Sequence, residues 1–180
     1  MMILYGSAIV RVADNVPASY SAPDSLSATL QAVKIHIVSI ANRTRSDAFD
    51  ALTRIYLERL VPYTKVEAAA FRNEQAFFEW VERQRSRTPP FLALLDSRGR
   101  QNSSEQFAEW LGRQRDSGIQ TLVLAIGPAD GWTQEARAKA DALLSLGVMT
   151  LPHELVRVVL AEQLYRAFTI LAGHPYHSGH

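Results

Sequence analysis

Residues 91–111 read FLALLDSRGRQNSSEQFAEWL, and the order of patterns within them decides the fold. Phe91–Leu95 is an unbroken apolar run of one strand length, as expected of a parallel strand buried on both faces. The polar stretch DSRGRQN, residues 96–102, reads as a loop. Ser103 with Gln106 three positions on has capping-box spacing, so a helix opens there with Phe107, Trp110 and Leu111 on one face. A buried strand followed by a capped amphipathic helix is one half of a βαβ unit.

The same alternation continues in both directions. Upstream, Lys34–Ile40 (KIHIVSI) alternates polar and apolar over a strand length. Asp47–Leu60 carries Phe49, Leu52, Ile55, Tyr56 and Leu60 at helical spacing, and Pro62 stops it. Val66–Phe71 reads as a second strand. Asn73–Arg87 sets Phe77, Trp80 and Val81 on one helical face before Pro89-Pro90 ends the element. Downstream, Thr121–Ile126 (TLVLAI) is another buried strand, and the loop GPADGW leads to a helix capped by Thr133. After Leu146 the chain passes through GVMTLP into the longest helix, His153–Leu171, with Pro152 near its first turn. The final GHPYHSGH reads as irregular. The pattern predicts an α/β fold with a mostly parallel sheet flanked by helices, and no internal repeat is visible.

With 180 residues there is room for one sizeable domain, and the 47% hydrophobic and 21% charged fractions exclude wholesale disorder and fibrous repeats. No apolar run approaches the ~18 residues that cross a bilayer. The absence of cysteine excludes disulfide scaffolds, thiolate metal sites and cysteine nucleophiles. These features lead us to expect a soluble, cytoplasmic protein. A net charge of +1 argues neither for nor against nucleic acid, but sixteen of the nineteen basic residues are arginine. Arginine's planar fork suits phosphate, and codon usage in a GC-rich genome produces the same bias. Residues 1–32 differ from the rest: an apolar opening is followed by PASYSAPDSLSAT, which reads as linker. Either they are a flexible extension, or the start is assigned too far upstream and translation begins at Val33. The domain is expected over residues 33–180.

Three loops follow the carboxyl ends of candidate strands, at Leu95-Asp96, Gly127–Trp132 and Leu146–Leu151, where ligands of open α/β sheets gather. Neither G-x-G-x-x-G nor G-x-x-x-x-G-K-[ST] occurs, so these loops suit a flat, mainly apolar ligand held by backbone better than a phosphate. Four of the five histidines lie at or after His153. His174, His177 and His180 recur every third residue, but no carboxylate accompanies them in the tail, so no metal is expected. Tyr176 between His174 and His177 fits stacking on bases. On the long helix, Glu162 and Arg166 lie about 40° apart and can pair. No G-x-S-x-G or H-E-x-x-H supports a hydrolase.

The run LLSLGVMTLPHELVRVVLAEQLYRAF, followed by GHPYH, resembles the RlmH family of large-subunit rRNA pseudouridine N3-methyltransferases, members of the SPOUT superfamily. DSRGRQNSSEQFAEWL and ERLVPYTKVE look like the central and N-terminal parts of the same family, and the likeness runs from about Val33 to His177. The resemblance implies a SPOUT-type α/β domain with a C-terminal trefoil knot. It implies S-adenosylmethionine held by the backbone of Leu95, Gly127, Leu146, Gly147, Val148, Met149, Thr150 and Leu151. It further implies a homodimer acting on 23S rRNA, in which one subunit's tail encloses the other's cofactor. His153, Glu162, Arg166, Tyr176 and His177 are then the candidates for catalysis and RNA contact. His153, Glu162 and His177 are the groups available to take the N3 proton, with solvent as the alternative.

The chain departs from the family at Gly127-Pro128, where two glycines are usual, and proline removes one backbone donor. That departure keeps a knotted RNA- or ribosome-binding module with weak catalysis as an alternative. A nucleotide-binding flavodoxin-like protein would need the phosphate loops that are missing.

Overall fold

In a computed structural model, residues 9–11, 33–41, 47–85 and 88–178 are described. Strands β1 (Ile9–Arg11), β2 (Lys34–Ile40), β3 (Val66–Phe71), β4 (Phe91–Gln101), β5 (Thr121–Ile126) and β6 (Ala142–Ser145) form one sheet in the order β1-β3-β2-β5-β4-β6. Every pairing is parallel except that of β1 with β3. Helices α1 (Asp47–Leu60), α2 (Glu74–Gln84), α3 (Ser104–Asp116) and α4 (Gln134–Ala138) connect the strands from β2 onward, and α5 (His153–Leu171) closes the chain before a 3-10 turn at Pro175–Ser178.

The continuous apolar strands are explained by a core on each face of the sheet. Ile35, Ile37, Ala93, Leu122 and Leu124 pack with Leu57 and Leu60 of α1, Phe107, Trp110 and Leu111 of α3, and Leu160 and Leu164 of α5. The intervening residues Val38, Leu92, Leu94, Val123 and Ala125 face Phe77, Trp80 and Val81 of α2 and Ala136 of α4. Odd and even positions of one strand thus supply different cores.

Several sequence expectations change. Helix α2 stops at Gln84 rather than Arg87, and the tail forms a 3-10 turn where irregular chain was expected. Ile9–Arg11 adds a strand inside the segment expected to lack regular structure, while residues 1–8 and 12–32 lie outside the described residues. The main correction concerns residues 96–101, read as loop from their polarity but continuing β4. Leu144 of β6 is in register with Leu95, and after a four-residue excursion it is in register again with Arg100. Polar residues remain on this strand because its outer face is exposed at Ser97, Arg98 and Arg100.

The excursion depends on Gly99. A Cβ there would lie 2.5 Å from the Leu144 carbonyl carbon and 2.6 Å from its nitrogen, so the β4 tail rests directly on the β6 backbone. At the other end of the pairing, Asp141 fixes β6: its carboxylate accepts the Leu92 N–H at 2.7 Å, and its own N–H donates to the Leu92 carbonyl at 2.8 Å. Gly99→Ala forces backbone against backbone and should cost roughly 3 kcal/mol or more. A urea-unfolding midpoint equal to that of the unsubstituted chain would contradict this packing.

His36 sits fully buried in β2, edge-on to Trp80 at 5.0 Å and 3.5 Å from Glu67. Burial first, and Lys34 second, push its pKa down to about 4 against the pull of Glu67. Below pH ~6.5 the unfolded chain takes up this proton and the folded chain does not. Stability should therefore fall by about 3 kcal/mol as pH drops from 6.5 to 4. His36→Leu should flatten that limb, and an unchanged slope would exclude His36 as its source.

Candidate active site

The β4 excursion after Leu95 lies beside the carboxyl ends of β5 and β6, and with the loops that follow those two strands it encloses one cavity of about 630 Å³. Leu95, Gly127 and the whole run Leu146–Leu151 line it, together with His153. Positions from residue 95 to residue 153 are thus brought together by the parallel order of three strands.

Each loop is held by its own device. Trp132, 3% exposed, spans the first two: its Nε1–H donates to the Leu95 carbonyl at 2.9 Å, and its ring passes below Gly127. A Cβ on Gly127 would sit 2.8 Å from that nitrogen. Pro128 has no N–H to offer, and its carbonyl accepts the Gly131 N–H at 2.9 Å. The third loop is pinned by Ser145, whose Oγ accepts the Gly147 N–H at 3.2 Å and donates to the Gly147 carbonyl at 3.0 Å. Gly147 has φ +141°, which only glycine adopts readily, though a Cβ there meets no atom within 4 Å. Backbone strain, rather than a clash, is what excludes larger residues. Val148 and Met149 stand 87% and 79% exposed at the tip.

At the cavity mouth Arg137 donates to Asp96 at 2.7 Å. Partial burial raises the Asp96 pKa, but the Arg137 guanidinium and the Arg98 backbone N–H outweigh it and hold the carboxyl below its ordinary value. Asp96 and Trp132 bound two of the loops read from sequence, but their contacts were not foreseen and Arg137 was not singled out. Trp132 left a signal, a lone aromatic in a polar loop, whereas a pair 41 residues apart left none.

The candidate catalytic residues fall into two groups. His153, the first residue of α5, lies on the cavity wall. Burial above all, aided by Arg157, lowers its pKa against Glu154 and a hydrogen bond to the Gly127 backbone, so the ring is neutral near pH 7. Its Nε2 is buried without a hydrogen-bond partner. Glu162, Arg166 and Tyr176 cluster nine residues further on, about 13 Å along the helix. Arg166 donates from Nη2 at 2.7 Å and from Nε at 3.0 Å to Glu162 Oε1, and the Tyr176 hydroxyl donates to the same oxygen at 3.3 Å. The guanidinium lies 5.1 Å from the centroid of the Tyr176 ring, which also meets Tyr165 edge-on. The Glu162 hydrogen bond raises the Arg166 pKa, while burial and then the Glu162 charge raise that of Tyr176. His177 belongs to the same 3-10 turn, but its side chain, like His180, lies outside the described residues. A single chain therefore does not bring His153 together with the Glu162 cluster.

The family model described as "Predicted SPOUT methyltransferase" matches residues 33–177, and the chain belongs to that family. Within it, the chain groups with proteins named Ribosomal RNA large subunit methyltransferase H. The one from Koribacter versatilis is 49% identical over 148 residues, 82% of this chain and 100% of that protein. The one from Rhizobium meliloti is 60% identical over 86 residues, 48% of this chain and 54% of that protein. A solved structure, the SpoU methyltransferase AviRb from Streptomyces viridochromogenes, matches 86% of this chain and 64% of its own at 13% identity, with TM-score 0.45.

Gly127→Ala should displace Trp132, break its bond to Leu95 and weaken S-adenosylmethionine binding about tenfold, the equivalent of one lost hydrogen bond. Calorimetric titration of the folded variant checks this, and unchanged affinity would remove the Trp132 brace from the site.

Proposed function

We propose that this chain transfers the methyl group of S-adenosylmethionine to N3 of a pseudouridine in 23S large-subunit rRNA. It acts in the cytoplasm as a homodimer of trefoil-knotted domains, residues 33–180, to whose sheet Ile9–Arg11 adds an edge strand. One observation carries the reading: the β4 excursion and the loops after β5 and β6 enclose a single cavity that contains every cofactor position implied by the resemblance. The cavity suits the cofactor. Its volume is that of a pocket for a small organic molecule, Leu95, Leu144 and Val156 make its walls apolar, and Gly127 and Gly147 bring bare backbone to its surface. The knot is supported by the β4 tail, which leaves β6, passes over it at Gly99 and rejoins it.

Bound S-adenosylmethionine supplies a methyl group already activated on a sulfonium. The chain's own residues have alignment and proton removal left to do. The neutral His153, with Nε2 uncommitted, is the group best disposed to take the N3 proton as that nitrogen attacks. Glu162 has both oxygens engaged, and its work is to hold Arg166 and Tyr176. Tyr176 then offers a face for stacking on the target base, worth roughly 1–3 kcal/mol, with His177 beside it in sequence and Arg166 offers its charge to the phosphate. The two groups of residues meet if one copy's tail covers the other's cavity. The exposed apolar tip Val148-Met149 supports such a cover, since apolar side chains this open favour burial against a partner.

Labelled S-adenosylmethionine incubated with whole ribosomes and with free rRNA tests the activity, with N3-methylpseudouridine expected on nucleoside digestion. His153→Asn should lower turnover by about 10²–10⁴. A chain lacking Gly173–His180 should fold but lose turnover, and mixing it with Gly127→Ala should restore part. Normal turnover of the tailless dimer would overturn the composite site. Cofactor binding without transfer to any rRNA would favour the catalytically weak module instead.

A further inference from the structure

Among the described residues four donor contacts hold the Glu162 carboxylate, and only three come from Arg166 and Tyr176. The fourth comes from the neighbouring Gln163, whose Nε2 donates to Glu162 Oε2 at 2.6 Å. An ionised carboxylate can only accept, so the Gln163 amide must turn its nitrogen toward Glu162 and its oxygen away. That oxygen is met by Ser104, whose Oγ donates to Gln163 Oε1 at 2.9 Å. Ser104 is the first residue of α3, fixed where the capping box of Ser103 and Gln106 starts the helix. Three residues earlier is the β4 tail, which rejoins β6 at Arg100 and Gln101. Ser104 and Gln163 also wall a recess of about 310 Å³ that shares Leu95, Leu144, Ser145 and Leu146 with the cofactor cavity.

A directional chain of hydrogen bonds therefore runs from the strand crossing beside the cofactor cavity to the tail. Ser104 donates to Gln163, Gln163 to Glu162, and Arg166 and Tyr176 converge on Glu162 from the other side. Without Gln163, Oε2 has no hydrogen-bond donor among the described residues, and the carboxylate is free to turn about its last torsion, carrying Arg166 and Tyr176 with it. We propose that Gln163 is a positioning residue for methyl transfer. It acts through Glu162 on Arg166 and Tyr176, and its own amide is oriented by Ser104. The inference rests on the roles assigned to those three residues under the proposed function.

The test is steady-state methyl transfer by the full-length dimer with labelled S-adenosylmethionine and ribosomes, beside calorimetric cofactor titration. Gln163→Met keeps length and removes both hydrogen bonds. Turnover should fall roughly ten- to a hundredfold, as small misplacements of reacting groups do, with the cofactor Kd unchanged. Ser104→Ala should produce a smaller fall, and Ser104→Thr, which keeps the hydroxyl, should restore turnover. The double variant Ser104→Ala/Gln163→Met should be no worse than Gln163→Met alone, because the first residue acts through the second. If Gln163→Met fails to fold, the Ser104 pair carries the test. Unchanged turnover in Gln163→Met, or in Ser104→Ala if that pair carries the test, overturns the proposal, and so does a fully additive double variant. Glu162→Gln separates the two levels. Loss of turnover there with a normal Gln163→Met defeats this inference alone, whereas normal turnover in Glu162→Gln defeats the roles on which it rests.

Discussion

The constraint on which the rest depends is the contact between the β4 tail and the backbone of β6. Two main chains approach there so closely that a single added carbon at Gly99 would fall within 2.7 Å of three backbone atoms. The contact sets β6 beside β4, which brings the Leu146–Leu151 loop next to the β4 excursion and the loop after β5. It also fixes the start of α3, and through Ser104 the orientation of Gln163 on α5. The strand-end cavity and the tail cluster are thus both referred to one crossing.

Once the backbone has built the cavity, side chains divide the remaining work by electrostatics. Burial lowers the pKa of His153, whose Nε2 is buried without a hydrogen-bond partner. Glu162 and Arg166 are partly buried and paired at 2.7 Å, the Glu162 hydrogen bond raises the Arg166 pKa, and Arg166 has the Tyr176 ring beneath it. Such pairing costs desolvation and gains geometry, which suits groups meant to be held in place.

Much of this was legible in the sequence. The buried strands Phe91–Leu95 and Thr121–Ile126, the capping box at Ser103 and the helix His153–Leu171 follow from local pattern, and the structure matches them. The spacing of Glu162 and Arg166 gave their ion pair directly. What the sequence hid was non-local. Residues 96–101 look like a loop because their polarity reports an exposed face, while their strand geometry comes from β6, more than forty residues away. The Trp132 brace, the Asp96–Arg137 pair and the Ser104–Gln163 bond join residues 37, 41 and 59 positions apart, beyond any periodicity. The distance between His153 and Glu162 was readable from helical rise, but that His153 lines the strand-end cavity while the Glu162 cluster does not was visible only once the cavity was in view.

Whether three loops gathered by one crossing form a single cofactor site is most directly tested by backbone amide resonances during titration with S-adenosylmethionine. Leu95, Gly127 and Leu146–Leu151 should shift together along one binding curve, with the indole N–H of Trp132 following them. Shifts confined to one loop, or loops that titrate with different midpoints, would contradict it.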